Sequence, residues 1–192
     1  MSKQANISYD IQPTKSQKMT ISAVLTALSL VYLYFMPTFD LGVWSFTLFS
    51  HIFLFIACFV SPYTALMTYI ASLVSFILKT SNYLIWLRAA SHLFWIIAVV
   101  LYIRFKGIKS KKDIAITAIM SALIHTILEV LAVILGLSFG IQGNSGFYYL
   151  FLALGIGNIV HNTIDFIVAL LVHQKVIGKL YRNTSPIKNI QE

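Results

Sequence analysis

The run of residues 83–103 is apolar and long enough to cross a bilayer, yet it carries Arg88 and, one helical turn later, His92. A guanidinium stays charged and costs at least ~2.5–3.5 kcal/mol at the centre of a spanning helix, so it must meet a partner, a polar cavity or water. Any fold that accommodates this run has to bring other polar groups to it from within the membrane. On a helix His92 shares the face of Arg88 at i+4, and Trp95 joins them at i+7. One face of this segment therefore reads as the wall of a polar pocket.

The rest of the chain has the composition of a bilayer protein. Of its 192 residues 58% are hydrophobic and 10% charged, against about a quarter charged in soluble domains, and the mean hydropathy is +0.82. At ~20 residues per span the length holds about six helices and no separate soluble domain. The expected fold is an all-α integral membrane protein, a six-transmembrane-helix bundle occupying residues 19–174, with polar tails at 1–18 and 175–192. The first 18 residues lack an apolar segment ahead of a small-residue cleavage site, so no removable signal peptide is expected. The single Cys58 sits in an apolar run, which excludes an intramolecular disulfide and a multi-cysteine metal site.

Spans are expected at residues 20–36, 45–60, 63–78, 83–103, 114–137 and 147–172. Pro37, the Ser61-Pro62 pair, the turn at 79–82, a basic run and a Gly-rich stretch at 136–146 separate them. Residues 37–44 read as a short loop with Asp40 as its only charge. Twelve of the fourteen lysines and arginines fall in the N-terminal tail, the 104–112 loop and the C-terminal tail. The positive-inside rule then puts both termini in the cytoplasm. The basic residues flank apolar runs and form no stripe with interleaved aromatics, so a nucleic-acid partner is not expected despite the net charge of +8.

This topology sets depths. Arg88 enters roughly 8 Å below the outer end of its helix at ~1.5 Å per residue, and His51 is similarly shallow in the second span. Glu129 lies in the outer half of the fifth. On the sixth, Asn158, His161, Asn162 and Asp165 share one face at i, i+3, i+4 and i+7. Two readings of Arg88 stand side by side. It is either half of a buried ion pair with Glu129 or a clamp for a ligand carboxylate or phosphate, which its planar fork matches.

The pairs His125/Glu129 and His161/Asp165, each at i+4, have the spacing of metal ligands, but no His-Glu-x-x-His motif accompanies them; no metal and no cofactor are expected. Residues 143–146 match the Gly-x-Ser-Gly of intramembrane serine proteases. A base would have to lie within reach of Ser145, and His161 is more than ~20 Å away along the next helix, so a flexible loop is the better reading. The outer aromatics, among them Phe39, Trp44, Phe147 and Tyr149, suit either an interfacial belt or a roof that stacks on a flat ring.

The first-helix run Ala23-Val24-Leu25-Thr26-Ala27, then Ser45-Phe46-Thr47-Leu48-Phe49-Ser50-His51, Ser61-Pro62 and Leu87-Arg88-Ala89-Ala90-Ser91-His92 resemble the S components of energy-coupling factor (ECF) vitamin transporters. The resemblance implies a substrate-binding subunit of the plasma membrane. Such a subunit captures its vitamin on the outer side and reorients when docked to the transmembrane coupling subunit EcfT and two cytoplasmic ATPases. It implies that Ala23 and Ala27 touch the coupling subunit, small side chains that let helices approach closely. The chain has no phosphate-binding loop of its own, so it is expected to be a transporter subunit and not an enzyme. The second and fourth runs are most like members for small carboxylate vitamins, niacin first and pantothenate next. The candidate substrate-binding residues are Arg88, His92, His51, Glu129, Asn158, Trp44, Asn82 and Asn162. A membrane-embedded enzyme using the His, Glu and Asp groups, and a structural membrane protein with Arg88 and Glu129 merely paired, are the alternatives.

Overall fold

The computed structural model describes residues 14–40, 45–140, 146 and 148–179, with backbone alone at 39, 40, 45, 148, 149 and 153. The elements are α1 (Lys15–Phe35), β1 (Thr38–Asp40), β2 (Ser45–Thr47), α2 (Ile52–Val60), α3 (Pro62–Lys79), α4 (Tyr83–Phe105), α5 (Lys111–Ser138) and α6 (Asn158–Val172). A π-helical stretch, Tyr148–Gly157, leads into α6, and a π-helical turn, His173–Ile177, follows it. Among the described residues five helices are long and apolar enough to cross a membrane: α1, α3, α4, α5 and the segment Leu150–Ile177 that contains α6.

The second expected span is not a full helix. Residues 45–47 pair as β2 with β1 in an antiparallel hairpin, Phe39 opposite Phe46. A turn follows and α2 is only nine residues, about 13 Å at 1.5 Å per residue. Polar Ser45, Thr47 and Ser50 alternating with Phe46 and Phe49 suit a half-buried strand as well as a helix, an ambiguity of short apolar runs that periodicity alone does not resolve. Phe49 takes a left-handed backbone, φ 57°, which a bulky residue adopts only where the surroundings impose it. That turn aims Ser50 and His51 into the bundle.

The other helix ends follow local chemistry. Thr14 with Gln17 and Ser110 with Asp113 form capping boxes, Ser61 accepts from the Thr64 N–H ahead of Pro62, and Asn82 accepts from the Leu84 N–H. Lys79, the one basic residue expected on the outer side besides Arg88, donates to the carbonyls of Leu33 and Met36 at the end of α1, where a cation complements the orphan carbonyls. The expected tails are helical where they are described, since α1 begins at Lys15 and helix continues to residue 179; the remainder lies outside the described residues.

Packing is that of a bilayer protein. Large apolar side chains such as Leu28, Val31, Ile70, Phe94, Leu131 and Ile164 are exposed, whereas Ser29, Thr64, Thr68, Ser75, Thr117 and Ser121 are fully buried. Helices in lipid associate through small residues and hydrogen bonds, and the α1–α3 seam is built that way. Ser22 and Thr64 hydroxyls meet at 2.6 Å, Ser29 and Ser72 at 2.8 Å, and Ser75 donates to the Leu30 carbonyl at 2.9 Å. The short α2 packs against α1, α3, α4 and α6. Its Phe55 anchors the core, with ring centroids 4.8 Å from Trp95 and 5.2 Å from Phe166.

Candidate binding site

Above that apolar core, four elements bring their polar residues to one place. Arg88, His92 and Trp95 come from one face of α4, His125 and Glu129 from α5, Asn158, His161 and Asp165 from α6, and Ser50 and His51 from the turn into α2. Glu129 is the hub. Its Oε2 accepts from Arg88 Nε (3.0 Å), Arg88 Nη2 (2.9 Å) and Asn158 Nδ2 (2.6 Å). Its Oε1 lies 3.0 Å from His92 Nε2 and 3.4 Å from His125 Nε2. A carboxylate has about four lone-pair sites, so Glu129 is saturated. Its side chain is 4% exposed and that of Arg88 11%, which puts the cation at the more accessible edge of the pair.

Asp165 is a second hub, fully buried. Its Oδ2 accepts from the backbone N–H of His51 at 2.9 Å and lies 3.1 Å from His51 Nδ1 and 3.3 Å from His161 Nε2. A carboxylate at the first amides of α2 is favoured by the unsatisfied donors and positive dipole end there. Ser50 Oγ links the two imidazoles, 3.3 Å from His51 Nδ1 and 3.1 Å from His161 Nε2. His51 is the centre of the arrangement, with ring centroids 4.9 Å from His92, 4.6 Å from His125 and 5.1 Å from His161.

With neutral imidazoles, Arg88, Glu129 and Asp165 sum to one negative charge. Several buried polar atoms in this region have no hydrogen-bond partner: His51 Nε2, His125 Nδ1, Trp95 Nε1 and Asp165 Oδ1. Unsatisfied polar atoms are costly where no bulk water reaches.

The candidates of the sequence reading divide. Arg88, His92, His51, Glu129 and Asn158 converge. Asn162 lies one turn further along α6, its Oδ1 accepting from Ser121 Oγ at 3.1 Å, and joins the wall but not the Glu129 hub. Asn82 is exposed and serves as the cap of α4. Trp44, Phe147 and Ser145 lie outside the described residues, and Phe39 and Tyr149 are described in backbone only. Ala23 and Ala27 are exposed on the outside of α1, while Ser22, Leu25 and Ser29 face inward. His125, His161 and Asp165, read in the sequence only as i+4 pairs on their own helices, join the centre because other helices complete the grouping. Ser50 figures in the sequence only within the Ser45–His51 run and not as a candidate site residue, since nothing distinguishes its hydroxyl from the many others in the chain.

Fold and site together define a multi-pass membrane protein with a buried, ion-paired polar centre. The chain is 30% identical over 162 residues to the niacin transporter NiaX of Lactococcus lactis subsp. cremoris (strain MG1363), a match spanning 81% of this chain and 72% of that protein. It belongs to the family of that transporter. No protein-family model and no solved structure matches it. Similarity to a transporter does not favour the membrane-enzyme alternative.

Proposed function

We propose that this chain is the substrate-binding S component of an ECF-type importer in the plasma membrane. It takes up a small monocarboxylate vitamin, niacin before pantothenate, and relies on a coupling subunit and two ATPases for energy. The observation that carries the reading is the partly buried Arg88, placed at the more open edge of its pair with Glu129, in a chain related to a niacin transporter. An incoming carboxylate offers the guanidinium what Glu129 offers it, so binding is an exchange of one charged acceptor for another. Asn158 and His92 hold Glu129 from behind and set how far it yields. Both termini are cytoplasmic in this reading, which makes the hairpin end of the bundle the outer face, and the exposed Ala23 and Ala27 present small side chains to the coupling subunit.

The test is calorimetric titration of detergent-purified protein with nicotinate, with nicotinamide as the uncharged isostere and pantothenate as rival. Nicotinate is expected to bind and nicotinamide to bind far more weakly. Hydrogen bonds to charged groups are worth about 1.5–3 kcal/mol, so Arg88→Ala is expected to weaken nicotinate roughly ten- to hundredfold. Equal affinity for the acid and the amide, or undiminished affinity in a folded Arg88→Ala protein, would overturn the proposal.

A further inference from the structure

The imidazoles of His51, His92 and His125 come from three separate elements, are all buried, and present donor atoms that lie within 4.8 Å of one another. We infer that these three histidines form a binding site for a divalent transition-metal ion of the zinc type. Zinc takes neutral imidazole nitrogen at ~2.0–2.1 Å in tetrahedral array, which places neighbouring donors about 3.3 Å apart. Loading the site therefore requires donors nearer one another than the 4.8 Å that bounds them here.

Three features favour an ion over a mere packing cluster. First, nitrogens such an ion needs are left over: His51 Nε2 and His125 Nδ1 are buried without a hydrogen-bond partner, while His125 Nε2 lies 3.4 Å from Glu129 Oε1. Second, the partners that normally orient metal-bound histidines are already in place. His51 turns Nδ1 to the Asp165 carboxylate at 3.1 Å, leaving Nε2 as ligand. His92 turns Nε2 to the Glu129 carboxylate at 3.0 Å, leaving Nδ1. A carboxylate holding the second nitrogen fixes the tautomer and raises the basicity of the ligand. Third, the surrounding charges suit a cation. Arg88, Glu129 and Asp165 leave one negative charge with neutral imidazoles, so a dication does not add to an existing positive excess.

A second grouping, His51, His161 and Asp165, also has ligand spacing. Its polar atoms are already engaged with one another at 3.1 and 3.3 Å, whereas those of the first grouping are not. The three-histidine set is the better assignment for that reason.

The site is tested in protein purified without a polyhistidine tag, stripped with chelator and titrated with Zn2+ or Co2+ in the absence of any vitamin, so the outcome is independent of the transport proposal. One equivalent of Zn2+ is expected to bind, and Co2+ is expected to give the visible ligand-field bands of a low-coordinate nitrogen site, displaced by Zn2+. Asp165→Asn, which removes an orienting partner, is expected to lose about ten- to a hundredfold in affinity. His51→Ala and His125→Ala are expected to lose more, and His173→Asn, away from the cluster, nothing. Thermal melting identifies any variant that fails to fold, and His125→Gln then replaces His125→Ala. Absence of stoichiometric uptake by the unmodified protein, or uptake that survives loss of His51 and His125, would overturn the assignment. So would a site lost with His161 but kept without His125.

Discussion

Glu129 carries more of the site than Arg88 does, although the arginine is the residue the sequence makes conspicuous. Five donor atoms from Arg88, His92, His125 and Asn158 lie within 3.4 Å of its two oxygens. Removing one partner of a buried ion pair strands the other and costs about 3–5 kcal/mol, whereas replacing both with apolar residues of similar size is far milder. Glu129→Gln is therefore expected to lower the melting temperature in detergent well below that of the Arg88→Met/Glu129→Met double variant. A single variant as stable as the double would mean that the guanidinium finds water when its partner is gone. At this scale the sequence was informative where charge meets an apolar run. Arg88, Glu129 and the Asn158–Asp165 face were all legible because a polar group in a spanning helix has few innocent explanations. Ser50 and the joint role of the histidines were not, because a hydroxyl is common and a cluster of rings exists only once several helices have packed.

Among the elements, α1 and α3 are joined by a ladder of hydroxyls. In lipid such bonds contribute about 0.6 kcal/mol each on average and at most ~1.7, because the separated helices also find partners. A double-mutant cycle on Ser29→Ala and Ser72→Ala, read by denaturation in detergent, is expected to give a coupling of that size. Coupling indistinguishable from zero would leave close approach of small residues as the whole of the seam. The long helices were legible from apolar length and from caps such as Ser61-Pro62 and Ser110/Asp113. The hairpin and the short α2 were not. Residues 45–60 form one apolar run, and what breaks it after Thr47 is the turn at Phe49, whose left-handed backbone no local pattern announces. That turn is also what delivers His51 to the polar centre, so the misjudged element is the one nearest the function.

Among the described residues the molecule has the arrangement of a bilayer protein: many large apolar side chains outward, hydroxyls along the seams, and Arg88, Glu129 and Asp165 gathered in one centre near the hairpin. A small bundle has no stability to gain from burying three charged groups and four imidazoles, since desolvation offsets most of their attraction. In the proposed reading their presence is accounted for by the carboxylate they bind. The central claim is that a vitamin carboxylate takes the place beside Arg88 now filled by Glu129. A structure of the protein with nicotinate bound tests it directly. The account predicts the carboxylate within hydrogen-bond distance of the Arg88 guanidinium, with Glu129 shifted toward His92 and His125. Nicotinate found elsewhere in the bundle, with the Arg88–Glu129 pair intact, would contradict it.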